Sequence, residues 1–190
     1  VSTGEGVEVM TLSGQGSIAN ANVGDNKTVT QNTLSLVSAS GSASNYSLGT
    51  ISVNITKRPV NVSLEKVYDG SLNAPSSGLK TNGITNTVGG QTLTLSGIGT
   101  MQDTGAGVAK VLSNNGTLAL GSGSGSASNY TLTSGTHIID VTPRTTVASG
   151  SRFYDGTINA QGSSFSSFTN TIGSDTITLS GTGTSTPAEN

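Results

Sequence analysis

Apolar and polar residues alternate with period two along much of this chain, and that alternation marks out its expected elements. Val7-Glu8-Val9-Met10-Thr11-Leu12 is the first such stretch, followed by Lys27-Thr28-Val29-Thr30 and Thr33-Leu34-Ser35-Leu36-Val37. A Ser/Gly loop over residues 38–44 leads to Tyr46, which opens an extended run through Ile51, Val53 and Ile55. Val60, Val62 and Leu64 alternate with polar residues ahead of Tyr68. Further strands are predicted at residues 92–95, 108–112, 117–120, 130–132 and 137–141, and then at 145–148 and 175–179. Residues 71–90 are rich in Gly, Asn and Ser, with Leu79 and Ile84 as apolar anchors, and read as a long, partly structured connection. Residues 185–190 read as a loose tail. Gly interrupts every segment, Thr and Val dominate the ordered stretches, and no window carries the 3.6-residue period, so helix is not expected.

The strands belong to a repeat. Thr-Leu-Ser-Gly occurs at residues 11–14, 94–97 and 178–181, at spacings of 83 and 84. Gly41-Ser42-Ala43-Ser44-Asn45-Tyr46 returns 84 residues later as Gly125 to Tyr130. Lys66-Val67-Tyr68-Asp69-Gly70 returns after 86 as Arg152-Phe153-Tyr154-Asp155-Gly156, and Ile55-Thr56-Lys57-Arg58-Pro59 is echoed by Val141-Thr142-Pro143-Arg144. Residues 1–58 then form the C-terminal part of a repeat, 59–143 a complete repeat, and 144–190 the N-terminal part of another. Pro59 and Pro143, 84 residues apart, stand at the joints, where proline removes a donor and stiffens the backbone. About seven short strands per repeat, with turns between them, predict an all-β chain of tandem immunoglobulin-like β-sandwich repeats of about 84 residues. A β-solenoid is the alternative, but its coils recur every ~20–30 residues and no such period occurs within the repeat. Val1 in place of an initiator Met, with partial repeats on either side, reads as a segment of something longer, and the folded unit is expected to be permuted relative to the sequence repeat.

Composition narrows the function. Charged residues are 9% of the chain, against about 25% in ordinary domains, so solubility rests on hydroxyls and amides. A net charge of −2 offers no electrostatic footprint for nucleic acid or an anionic membrane. Four Tyr, three Phe and no Trp leave a thin aliphatic core. The absence of Cys excludes a disulfide framework and suits a chain that crosses a membrane unfolded and folds outside. No apolar run has the length of a transmembrane helix, and no signal peptide is visible.

The candidate residues carry little chemistry. Tyr46 and Tyr130 follow Asn45 and Asn129, and Tyr68 and Tyr154 precede Asp69-Gly70 and Asp155-Gly156. Each ring is expected to fill the core while its hydroxyl finds a backbone partner, as in a tyrosine corner; the functional alternative is a carbohydrate-stacking platform. Asp-Gly is a turn pair, Asp bonding downstream backbone and Gly taking positive φ. A calcium site needs about six oxygen ligands, and the ten acidic residues are scattered. His137 is the only histidine and is expected at an exposed or rim position; Asp140, three residues on in a strand, faces the other way. With no second His, no Cys and no nucleophile-elbow pattern, neither zinc nor an enzyme is expected, and no cofactor. Lys27 and Lys110 hold matching places as edge-protecting lysines, with an isopeptide bond to an Asn as the sharper alternative. Asn26, Asn45, Asn54, Asn61, Asn115 and Asn129 lie in Asn-x-Ser/Thr sequons, which arise easily in such a composition.

Tyr-Asp-Gly, the strand ending Thr-Leu-Ser-Gly, Asn-Tyr and the closing Ile/Val-Thr-Pro together resemble the YDG-type repeat of large exported adhesins of Gram-negative bacteria, many of them filamentous-haemagglutinin-like and exported by two-partner secretion. The first unit lacks the Tyr-Asp-Gly half and the third lacks the Asn-Tyr half. The resemblance implies immunoglobulin-like modules in tandem, serving as a stalk or spacer at the bacterial cell surface or outside it, with roles in adhesion or biofilm. Partners expected on this reading are neighbouring repeats of the same chain, a second chain joined by strand addition, or host and matrix glycans, without nucleic acid and without membrane insertion.

Overall fold

The computed structural model describes residues 8–184. Among the described residues strand accounts for 47% and no helix reaches seven residues. The first strands are β1 (Met10–Ser13), β2 (Ser17–Ile18), β3 (Gly24–Thr30), β4 (Ser35–Ser38), β5 (Ser52–Ile55) and β6 (Arg58–Pro59). The central ones are β7 (Asn61–Val67), β8 (Asn73–Pro75), β9 (Leu79–Thr85), β10 (Leu93–Ser96), β11 (Ile98–Met101), β12 (Gly107–Asn114), β13 (Ala119–Ser122), β14 (Tyr130–Thr131) and β15 (His137–Thr142). The last are β16 (Val147–Gly150), β17 (Asn159–Gln161), β18 (Phe165–Thr169) and β19 (Thr182–Thr184). The chain forms two compact units that interleave in sequence. One comprises residues 1–60, 86–94 and 120–135, the other 61–85, 95–119 and 136–190.

The second unit is built on a six-stranded sheet in the order β8-β11-β12-β15-β7-β9, curled into a half-barrel. All its ladders are antiparallel except β15 with β7, which runs parallel from His137↔Val62 to Thr142↔Val67. The period-two pattern explains which face is inside. Val62 and Leu64 in β7, and His137, Ile139 and Val141 in β15, all turn inward. Ala74 and Met101 complete the buried surface with Leu112. Each large aliphatic side chain removed from water there stabilises the fold by roughly 1.5–3 kcal/mol. Backbone irregularity is systematic. In β12 the register slips between Gly107 and Lys110, with Ala109 at φ 52°, and the Asp140 carboxylate accepts the Ala109 N–H at 2.7 Å. The same unit holds the two-stranded ladders β16-β18 and β17-β19.

The first unit contains the three-stranded sheet β2-β3-β5, the ladder β1-β4 and the short parallel pair β6-β14. The slip of β12 recurs in β3 between Gly24 and Lys27, with Asn26 at φ 49° and the Asn54 side-chain oxygen accepting its N–H at 2.7 Å. Met10, Val60, Leu93 and Tyr130 are buried. Strands β10 and β13 form a further two-stranded ladder.

Several expectations change. The region 71–90 is not a long connection, because β8 and β9 lie in it and flank the main sheet. β9 escapes a period-two reading because it bulges: Val62 pairs with Ile84 but Leu64 pairs with Leu79, with Asn82 at φ 55° between them. Residues 175–179 alternate as a strand should, yet among the described residues they join no ladder; alternation alone supplies no hydrogen-bonding partner. The strand expected at residues 33–37 runs from Ser35 to Ser38. Val7 and the tail 185–190 lie outside the described residues.

Candidate functional site

The residues that hold the repeat together converge on a seat for the Asn-Tyr motif. In the first unit, Ala127–Asn129 form a single 3-10 turn, closed by the Asn129 N–H to the Ser126 carbonyl at 3.1 Å and by Ser126 Oγ against Ser128 Oγ at 2.8 Å. This turn delivers Tyr130 to a buried position, 4% exposed, beside Arg58 in the parallel pair of β14 with β6. The Tyr130 hydroxyl donates to Gln91 Oε1 at 2.5 Å and accepts the Val88 N–H at 3.1 Å. Gln91 is fixed by a tight turn in which its N–H donates to the Val88 carbonyl at 3.0 Å. Arg58 donates to the Asn86 carbonyl and to Asn86 Oδ1, both at 2.7 Å, while Asn86 Nδ2 returns a bond to the Pro59 carbonyl. Asn129 reaches the preceding repeat: its Oδ1 accepts the Val23 N–H at 2.9 Å and its Nδ2 donates to Asn22 Oδ1 at 2.9 Å.

Tyr46, the matching residue of the first repeat, donates its hydroxyl to the Glu8 carboxylate. Its turn is built the same way, with Ser42 Oγ against Ser44 Oγ at 2.8 Å and the Asn45 N–H on the Ser42 carbonyl at 3.1 Å.

The second unit contains the same Arg–Asn clamp and the same turn. Arg144 Nε donates to the Asn170 carbonyl and Oδ1, both at 3.0 Å, and Asn170 Nδ2 donates to the Thr145 carbonyl. Asn86 and Asn170 share positive φ, 68° and 64°. Asp175 N–H donates to the Ile172 carbonyl at 3.0 Å, the turn that carries Gln91. This bonding pattern aligns Arg58 with Arg144, so Pro59 corresponds to Thr145, and Pro143 precedes the joint. Here a cavity of about 350 Å³ is lined by residues that include Tyr68, Ala106, Pro143, Ile172, Asp175 and Ile177. Tyr68 donates its hydroxyl to Asp175 Oδ2 at 3.2 Å, and this bond to a carboxylate raises the phenol pKa above its usual value.

The Tyr-Asp-Gly motif is a turn with an ion pair beneath it. Asp69 Oδ1 accepts from Lys66 Nζ at 2.8 Å and from the Ser71 N–H and hydroxyl at 2.9 Å each. Lys66 also donates to the carbonyls of Ser71 and Asn73, and Gly70 takes φ +73°. The Lys66 ammonium, then the Ser71 N–H, lowers the Asp69 pKa to about 2. Asp155 repeats the arrangement with Thr157 and Arg152, its pKa lowered to about 2 chiefly by the Thr157 N–H and then by Arg152, and Gly156 takes φ +73°.

The aromatic neighbours differ between the two copies. Tyr154 and Phe153 are each 96% exposed, where a core position was expected for Tyr154. Residues 151–158 join no ladder among those described, so no sheet face is presented to cover the rings. Only Tyr130 is a fully buried tyrosine, and its hydroxyl meets a side chain as well as backbone.

Other candidates resolve into structural roles. His137 is buried, 6% exposed, rather than at a rim, because it begins β15 opposite Val62; a polar residue at an inward position of an alternating strand follows the strand's geometry. Asp140 instead pairs with Lys80 and Ala109, which together lower its pKa, the Ala109 N–H most. Lys27 Nζ donates to Asn20 Oδ1 and the Asn22 carbonyl at 2.7 Å each. Lys110 pairs with Asp103 and the Gly105 carbonyl, which lowers the Asp103 pKa. Both lysines thus brace a loop, a role that the sequence did not suggest. Among the described residues no group of three His, Cys, Asp or Glu could hold a metal ion, and no helix is long and apolar enough to cross a membrane.

Comparison with protein families finds a YDG domain at residues 54–137. Comparison with curated proteins gives no match, and comparison with solved structures gives none.

Proposed function

We propose that this chain is a non-enzymatic spacer, a stretch of tandem immunoglobulin-like modules in an exported bacterial surface adhesin. The observation that carries this reading is that successive repeats are joined by side chains belonging to the repeat itself. Asn129 of the YDG domain holds Asn22 and Val23 of the repeat before it, and Tyr68 holds Asp175 of the repeat after it. A spacer needs such joints, since its stability is close to a sum of module and neighbour terms. The chain's other features agree: few titratable groups, half-buried lysines committed to loops, and a composition rich in Ser, Thr and Asn. Placement at the bacterial surface rests on the resemblance of the repeat motifs to exported adhesins.

Single-molecule pulling on the chain tests the spacer role. The YDG domain spans 84 residues, from 54 to 137, and is shared between the two compact units, so full extension of that stretch releases about 290 Å of chain at ~3.4 Å per residue, less its folded length, as those units rupture. Discrete rupture events are expected. Smooth extension at low force, with no such event, contradicts a load-resisting spacer.

A further inference from the structure

We propose that the parallel ladder of β7 with β15 is a shear clamp, the element through which the YDG repeat bears tension along the chain. The inference rests on the spacer reading and names the contacts that resist the load. It follows from where the chain enters and leaves. Residues 1–60 lead into the ladder at Asn61, the first residue of β7, and residues 143–190 follow Thr142, the last residue of β15. The two strands run the same way, from His137↔Val62 to Thr142↔Val67, so entry and exit lie at opposite ends of one ladder. Tension then draws β7 backwards and β15 forwards along their common axis. All six residue pairs are loaded together. The bonds at the two ends share that load: the Val62 N–H donates to the Thr136 carbonyl at 3.0 Å, and the Tyr68 N–H to the Thr142 carbonyl at 2.9 Å. An antiparallel pair in the same place would bring entry and exit to one end, and tension would open its bonds one after another.

Further observations agree. In the sheet order β8-β11-β12-β15-β7-β9 both loaded strands are interior, so neither can lift off as an edge. Their inward residues, Val62 and Leu64 on β7 and His137, Ile139 and Val141 on β15, are buried. A slip of one residue would turn this whole set outward, so the core opposes sliding as well as the hydrogen bonds. The far end of β7 is tied down, because Lys66 Nζ donates to Asp69 and to the Ser71 and Asn73 carbonyls. In the first unit β6 and β14 are also parallel, with Arg58 beside Tyr130 and Pro59 beside Thr131, and are loaded in the same sense.

Single-molecule pulling on the full chain in two directions tests the clamp. The chain has no Cys, so two introduced thiols are the only covalent attachment points. Lys57→Cys with Thr145→Cys loads the parallel pairs in shear. Lys57→Cys with Ser128→Cys pulls on the leading ends of β6 and β14 and peels the strands apart. All three positions are exposed, so both variants are expected to fold as wild type does. The rupture force is expected to be severalfold higher in shear than in peeling, because the six pairs of β7 and β15 yield together in one case and singly in the other. Equal forces in the two directions, or a lower force in shear, overturn the clamp, and discrete end-to-end rupture would still leave the spacer reading standing. Smooth extension end to end contradicts the spacer reading itself and the clamp with it.

Discussion

Tyr130 lies in the Asn-Tyr motif and Tyr154 in the Tyr-Asp-Gly motif, in opposite environments, and replacing each by Ala separates packing from membership of a repeat motif. Tyr130 is 4% exposed and Tyr154 is 96% exposed. Truncating a buried aromatic ring costs about 3–5 kcal/mol from lost transfer free energy and the cavity left behind. An exposed substitution away from caps and networks stays within about 0.5 kcal/mol. Tyr130→Phe divides the effect further. It removes the bonds to Gln91 Oε1 and from the Val88 N–H, but both residues are exposed, so water replaces the lost partner and the net cost is about 1 kcal/mol. In a domain of this size 1 kcal/mol lowers the melting temperature by about 4–8 °C. The assay is thermal and urea unfolding followed by circular dichroism in dilute solution. Tyr130→Phe is expected to fall by that interval, Tyr130→Ala by several times more, and Tyr154→Ala to melt with wild type. Equal losses for Tyr130→Ala and Tyr154→Ala would refute the reasoning, because the motif itself would then matter and the burial would not.

Other consequences are more local. The Asp69 pKa lies at about 2, below its unfolded value near 3.8, so its stabilisation is complete above pH ~4 and is lost as pH falls through ~2; Asp69→Asn should flatten the acid end of the stability profile, and carbon-detected NMR titration should read the low value directly. Gly97 has φ +87° and a Cβ there would lie 2.1 Å from the Thr117 carbonyl oxygen, whereas Gly89 has φ +57° and open space around it. Gly97→Ala should therefore cost well beyond the ~1–2 kcal/mol of a left-handed residue and Gly89→Ala about that amount, compared by urea unfolding. Asn129→Ala removes the acceptor of the Val23 N–H, and hydrogen exchange at that amide should accelerate about fivefold, as the loss of roughly 1 kcal/mol of local protection implies.

The main strands were legible in the sequence because their inward residues are large and evenly spaced. Val62 and Leu64 in β7, and Ile139 and Val141 in β15, lie where alternation puts them. Parallel pairing of those two strands was not legible, since period two is the same for either direction. β11 was missed because Gly99 occupies a buried strand position, where a Cβ would come within 2.5 Å of Leu112; glycine there reads as a break when it is a close approach. β9 was missed because its bulge shifts the phase of Leu79 and Ile84. The repeat motifs marked the residues of the Tyr130 seat that carry names of their own, Asn129 and Tyr130, but not Gln91 or Asn86, which lie in a Gly/Asn-rich stretch with nothing to distinguish them. The internal correspondence of Asn86 with Asn170 was available at 84 residues; only hydrogen bonding showed that it mattered. Burial of His137 was hidden because the sequence offered one polar residue in an otherwise apolar alternation and no statement of which face it took.

The central claim is that neighbouring repeats are joined through the Asn129 side chain, and a double-mutant cycle on Asn129→Ala and Asn22→Ala tests it most directly. Their side chains meet at 2.9 Å, so unfolding free energies of wild type, both single variants and the double variant should give an interaction term of about 0.5–1 kcal/mol. An interaction term indistinguishable from zero, with both single variants as stable as wild type, would contradict the joint and with it the coupling of one repeat to the next.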